Sequence, residues 1–110
     1  MMDLDAVRRS VVGLTRSSGR VILDIYRRRT AISEKKRDGT PVTQADLASE
    51  ALLSRGLPEI LDVPILSEEA RNAPYRDRRG WSTFWLVDPL DGTKEFLRRT
   101  GEFAVSIALI

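Results

Sequence analysis

The chain contains neither histidine nor cysteine. Without cysteine there are no disulfides and no thiolate metal sites, a composition compatible with a reducing cytoplasm. Without histidine there is no imidazole general base, no Ser-His-Asp triad and none of the usual zinc ligand sets. Hydrolytic chemistry in this chain must therefore rest on carboxylates, hydroxyls, lysines and a hard, oxygen-seeking metal. An excess of charge of one sign is also missing, since 18 Lys and Arg face 16 Asp and Glu. The basic residues gather at positions 27–29, 35–37 and 76–79. Aromatics are not interleaved with them, so a nucleic-acid-binding face is not expected. The amino terminus, Met1-Met2-Asp3-Leu4-Asp5, is acidic and lacks the apolar stretch of a secretory signal. No apolar run approaches the length of a membrane span.

What is present suffices for one compact domain: 110 residues, 42% hydrophobic and 31% charged, a size that buries roughly two thirds of its unfolded surface. Residues 3–29 read as one amphipathic helix, with Leu4, Val7, Val11, Leu14, Val21 or Ile22, and Ile25 recurring mostly at steps of three and four. Residues 30–43 form a polar connection with a turn at Asp38-Gly39-Thr40-Pro41. A second helix is expected from Thr43 to about Arg55, ended by Gly56 and Pro58. Residues 63–66 suggest a short buried strand, 72–80 a polar loop and 81–87 a second strand. A turn at 88–92, a helical turn at 94–99 and a third strand at 103–110 complete the reading. The expected class is a layered α/β (α+β) fold of two helices followed by sheet strands.

The chemistry centres on Trp85-Leu86-Val87-Asp88-Pro89-Leu90-Asp91-Gly92-Thr93. A buried strand would deliver Asp88 at its carboxyl end, where open α/β sheets bind ligands. Pro89 biases Asp88 toward extended backbone, and Gly92 permits a sharp return. Asp88, the Leu90 carbonyl and Asp91 can then converge beside the Thr93 hydroxyl, an all-oxygen environment suited to Mg²⁺. Glu68 follows the preceding short strand and would lie near Asp88 if the two strands are neighbours. Carboxylates about 5 Å apart repel by roughly 3 kcal/mol per pair at an effective dielectric near 20, so such a cluster calls for cations or raised pKa values. Simpler readings compete: Asp91-Gly92 between apolar runs is also a hairpin signal, and Thr43-x-x-Asp46 resembles a helix capping box.

The nine residues Asp88-Pro89-Leu90-Asp91-Gly92-Thr93-Lys94-Glu95-Phe96 resemble the signature of the inositol monophosphatase superfamily. Two further segments, 38–46 and 65–69, resemble its upstream and middle motifs in the family's order. Lys94-Glu95-Phe96 looks more like the 3′(2′),5′-bisphosphate nucleotidase branch (CysQ type) than like inositol monophosphatases proper. The resemblance implies that Glu68, Asp88, the Leu90 carbonyl and Asp91 hold two or more Mg²⁺ ions. It implies that Asp46 and Thr93 orient and deprotonate the attacking water, with Glu68 assisting. It also implies that Glu68, Leu90, Asp91, Gly92 and Thr93 face the substrate phosphate. The implied activity is Li⁺-sensitive hydrolysis of 3′-phosphoadenosine 5′-phosphate to AMP and phosphate in sulfate assimilation, without a phospho-enzyme. A related inositol or sugar monophosphatase is the alternative. The implied location is cytoplasmic, with at most peripheral attachment to the inner face of the membrane.

One family element is missing. No Trp follows Trp85 and no Asp follows Asp91, whereas the family carries a later Trp-Asp segment that completes the metal site. Residues 1–110 are accordingly expected to be the amino-terminal portion of a single phosphatase domain, inactive alone. The remaining alternative is a non-catalytic module that pairs through the open edge of its last strand. A haloacid-dehalogenase-type site is disfavoured, because it needs Asp-x-Asp where this chain has Asp-Pro-Leu-Asp.

Overall fold

Helix α1 (Leu4–Arg28) runs through 25 residues of the amphipathic segment, about 37 Å at the usual rise per residue. Asp3 caps it, accepting from the N–H groups of Asp5 and Ala6 at 3.1 and 3.2 Å. The computed structural model describes residues 2–28, 33–35, 41–68 and 72–110. The connection read as wholly polar loop contains two short antiparallel strands, β1 (Ser33–Lys35) and β2 (Pro41–Thr43), with Ser33 opposite Thr43. Three residues apiece, with little apolar content, leave no alternation for a sequence reading to detect. The expected turn at Asp38-Gly39-Thr40 lies outside the described residues, as do parts of the first two basic clusters.

Helix α2 (Gln44–Ile60) continues past the expected stop at Arg55. Gly56 is a seat for the neighbouring helix, because a Cβ there would stand 2.5 Å from a methyl of Leu14 on α1. Pro58 lies within the helix, near its end, where the Leu61 N–H still returns to the Leu57 carbonyl at 3.0 Å. Burial of Leu57, fully inaccessible, outweighs the local breakers. Tertiary packing overrides propensity here.

Strand β3 (Ile65–Ser67) pairs in parallel with β4 (Trp85–Asp91), and β4 pairs antiparallel with β5 (Ala104–Leu109). The loop expected before β4 contains one helical turn, α3 (Tyr75–Arg78), and β4 begins four residues later than the sequence reading placed it. The expected turn at 88–92 is largely strand: β4 reaches Asp91, which opposes Ala104 after a shift of register between Asp88 and Asp91. Pro89, buried and unable to donate, sits at that irregularity, one of the few places a sheet accepts proline. The two-residue hairpin alternative is thereby excluded, since helix α4 (Thr93–Arg98) separates the strands.

The helices cover one face of this sheet. Leu53, Leu57, Trp85 and Val87 form one buried cluster, with Val7, Val11 and Leu14 of α1 packed on it. Ile22, Ala45, Leu90 and Phe96 form another, with Tyr26 and Phe103 against it. The Trp85 indole N–H is satisfied by the Leu61 carbonyl at 3.0 Å. Among the described residues no helix is long and apolar enough to cross a membrane.

Candidate active site

Parallel register between β3 and β4 places Ser67 beside Val87, so Glu68, just past the end of β3, comes alongside Asp88 in the middle of β4. The Glu68 N–H donates to the Val87 carbonyl at 3.2 Å, extending the pairing by one residue. Asn72 holds the other side of β3. Its amide accepts from the Ser67 N–H at 3.0 Å and donates to the Ser67 carbonyl at 2.6 Å, imitating a further strand. Ser67 also donates its hydroxyl to Glu50 of α2. Neither Asn72 nor Glu50 was singled out in the sequence, since a lone amide and a helix-surface acid carry no spacing signal.

Asp46 is fully buried at the start of α2. Its Oδ2 accepts from the Thr43 N–H at 2.8 Å and the Thr43 hydroxyl at 2.6 Å, and its own N–H reaches Thr43 Oγ1 at 3.3 Å, forming the capping box. Its Oδ1 accepts from the Thr93 hydroxyl at 2.9 Å, across 47 positions of sequence. One carboxylate thus caps a helix with one oxygen and reaches the β4–α4 turn with the other. Three donors satisfy the buried carboxylate, which would otherwise be costly to desolvate. The Thr93 hydroxyl also lies 3.4 Å from the Leu90 carbonyl.

Asp88 is half-buried, and its Oδ1 accepts from the Leu90 N–H at 3.3 Å. Burial raises its carboxyl above the usual range. The Leu90 hydrogen bond opposes that shift, and the negative charges of Asp91, Glu68 and Asp46 reinforce it. Glu68 and Asp91 are exposed. The ion pair seen among the described residues is remote, between Arg8 and Asp5, so no lysine or arginine there neutralises this group. Gly92 turns the chain into α4 with φ +97°, and a Cβ on it would approach the Glu102 carbonyl to 2.6 Å. Only glycine combines that backbone with that closeness.

The donor set fits a hard divalent cation in its chemistry: carboxylates of Glu68, Asp88 and Asp91, plus the Leu90 carbonyl, all oxygen and, among the described residues, without an ion pair to a lysine or arginine. Among the described residues no three acidic side chains are gathered tightly enough to grip an ion as they stand. Asp46 gives both oxygens to threonines, so its carboxylate is satisfied without a cation. Rotation of the exposed Glu68 and Asp91 side chains is what coordination would require.

Ser49, one turn beyond Asp46 on the buried stripe of α2, was missed. Its hydroxyl donates to the Pro89 carbonyl at 2.7 Å, and Ser18 of α1 lies 2.5 Å from it. The spacing of Asp46, Ser49, Leu53 and Leu57 could have disclosed it as a core position. Arg99 was also missed. It ends α4 with φ 62°, donates to the Tyr26 carbonyl at 2.9 Å and stacks 4.1 Å from the Tyr26 ring centroid.

Glu68 and Asp88 on adjacent parallel strands, an Asp46–Thr93 pair and a glycine turn together make one carboxylate-rich site. The pattern of the inositol monophosphatase family matches residues 3–110, and the chain belongs to that family. The 3′(2′),5′-bisphosphate nucleotidase CysQ of Salmonella typhimurium is 45% identical over 102 residues, covering 91% of this chain and 41% of that protein. The crystal structure of CysQ from Bacteroides thetaiotaomicron, 40% identical, superposes with a TM-score of 0.70 over 93% of this chain and 36% of its own. The extragenic suppressor protein SuhB from Bartonella henselae, 31% identical, gives 0.80 over 94% and 40%. The chain thus spans about two fifths of the length of these relatives.

Proposed function

We propose that this chain carries the water-activating and metal-binding half of a Mg²⁺-dependent phosphatase acting on 3′(2′),5′-bisphosphate nucleotides. The observation that carries the reading is the Thr93–Asp46 hydrogen bond of 2.9 Å, placed beside the acidic side chains of Glu68, Asp88 and Asp91. Thr93 donates to Asp46 and so presents its oxygen lone pairs outward to accept a proton from water. As water attacks phosphorus and the P–O bond to the sugar oxygen breaks, the water proton passes to Thr93 and the threonine proton to Asp46, while the leaving oxygen takes a proton from solvent. Thr43 holds Asp46 in the orientation that accepts it. Glu68, Asp88, Asp91 and the Leu90 carbonyl would hold Mg²⁺, which when bound supplies charge neutralisation at the phosphate oxygens. Glu68 and residues 90–93 face the phosphate in this reading.

The nucleotide, rather than an inositol or sugar phosphate, is favoured by Lys94-Glu95-Phe96 and by the 45% identity to a bisphosphate nucleotidase. The test has two parts. Calorimetric titration with Mg²⁺ should show binding that Asp88→Asn weakens at least tenfold; equal binding by the variant would sink the metal assignment. In an enzyme completed with a later Trp-Asp segment, phosphate release should be faster from 3′-phosphoadenosine 5′-phosphate than from inositol 1-phosphate, and the reverse order would transfer the proposal to the monophosphatase branch. Metal binding without release from either compound even in the completed enzyme would favour the non-catalytic reading, in which β5, an edge strand of the described sheet, pairs with another chain.

A further inference from the structure

The buried hydroxyls of Ser18 and Ser49 form a relay from α1 through α2 to the backbone of the Asp88–Asp91 segment. Both serines are fully inaccessible, and Pro89 is nearly so. The direction of the relay follows from proton counting. Ser49 has one hydroxyl proton and gives it to the Pro89 carbonyl at 2.7 Å. The 2.5 Å contact between the two serines must therefore be donated by Ser18.

The target is informative. The Pro89–Leu90 peptide is trans and planar, so its C=O and N–H point in opposite directions. Ser49 holds the carbonyl end of that plane. The other end, the Leu90 N–H, donates to Asp88 Oδ1 at 3.3 Å. Rotation of this one peptide unit is consequently coupled to the orientation of the Asp88 carboxylate and to the start of the Leu90 residue whose carbonyl faces Thr93. Proline at 89 leaves Asp88 without a hydrogen bond from the nearer amide, so among the described residues the Leu90 N–H is the backbone donor to the Asp88 carboxylate.

We propose that Ser49 is a positioning residue for the metal-binding site, setting the Asp88 carboxylate through the Pro89–Leu90 peptide. This rests on the functional reading above. Ser49 and Asp46 are one turn apart on the same buried face of α2, so one helix fixes both halves of the site: the Thr93 partner directly and the Asp88 ligand through one peptide.

The test compares Ser49→Ala and Ser18→Ala with Asp88→Asn in the whole chain. Calorimetry measures Mg²⁺ affinity, and ¹⁵N–¹H spectra follow the Leu90 amide in metal-free protein. Both serine variants lose stability, because each removes a buried hydrogen bond. Ser49→Ala is expected to weaken Mg²⁺ binding about tenfold, the scale seen when groups supporting metal ligands are removed, and to shift the Leu90 amide upfield. Ser18→Ala leaves the Ser49–Pro89 bond in place, so its Mg²⁺ affinity should change by no more than about twofold. Ser49→Ala with unchanged Mg²⁺ affinity and an unmoved Leu90 amide, while Asp88→Asn loses the ion, would overturn the positioning role alone. Asp88→Asn binding as tightly as the parent chain would overturn the functional reading and this proposal with it. If Ser49→Ala fails to fold, Ser49→Cys, which keeps a weaker donor, should give an intermediate affinity; affinity equal to the parent chain would again refute the role.

Discussion

The two halves of helix α2 bury the same face by opposite means. Toward its carboxyl end Leu53 and Leu57 are inaccessible and pack among Trp85, Val87 and the side chains of α1. Toward its amino end Asp46 and Ser49 are equally inaccessible but polar, and each is matched to a partner distant in sequence, Thr93 and Pro89. The apolar half gains stability from area removed from water, which is non-directional and tolerant of small rearrangements. The polar half gains little net stability from its hydrogen bonds, because each replaces one to water. What it gains is direction. A leucine can hold α2 against the sheet, but only an acceptor such as Asp46 can dictate where the Thr93 proton points.

The contrast can be broken by exchanging readouts. The largest effect should come from Asp46→Asn in the active enzyme, with turnover falling about 10² to 10⁴-fold, the range for loss of a positioned general base, while nucleotide affinity changes little. Normal turnover would leave Asp46 only its capping role. Leu57→Ala should do the reverse, costing about 2–5 kcal/mol of stability by cavity formation while leaving Mg²⁺ affinity intact at temperatures where the chain is folded. Denaturant unfolding and calorimetry on the same sample check both halves of that statement, and a Leu57→Ala chain that is folded yet deaf to Mg²⁺ would erase the distinction.

Gly92→Ala sharpens the comparison at the other end of the Asp46–Thr93 bond. The added Cβ would meet the Glu102 carbonyl at 2.6 Å in backbone already at φ +97°, so a loss of about 1–3 kcal/mol is expected, together with displacement of Thr93. A melting temperature equal to the parent would show that this turn is free to relax.

The smallest effect concerns pH. Burial raises the Asp88 carboxyl in the folded chain, so the folded state holds that proton more tightly than the unfolded one. Stability of the metal-free chain should therefore decline as pH rises from the ordinary carboxylate range through the higher folded value of Asp88. Asp88→Asn should lack that decline, and Mg²⁺ should offset it in the parent. Urea titrations at several pH values measure it; parallel profiles for parent and variant would contradict the assignment to Asp88.

Much of this was legible in residue order. The 3.6-residue recurrence from Leu4 to Ile25 located α1, because a long amphipathic stripe has no other use. Thr43-x-x-Asp46 announced the start of α2 through chemistry confined to four neighbouring residues. The apolar tetrad Phe84 to Val87 led to β4, although its first paired residue is Trp85. The end of α2 was not legible. Gly56 and Pro58 are read locally as breakers, whereas the packing of Leu14 into the Gly56 gap and the burial of Leu57 are set by α1, more than forty residues away. Asn72, likewise, acts only because β3 has an open side for its amide to complete.

The sequence by itself determined which chemistry is possible here: oxygen ligands, no imidazole, no thiol, and a glycine and a proline spaced to bend one acidic segment. It determined that two short apolar runs each release an acid at their carboxyl end. Tertiary structure alone decided that those runs are parallel neighbours, which puts Glu68 beside Asp88. It alone decided that Asp46 reaches Thr93 and that Ser49 reaches Pro89. The reason is physical. Propensity and periodicity act over a few residues, while a hydrogen bond between groups 40 or 47 positions apart exists only after the apolar faces of α1, α2 and the sheet have been driven together.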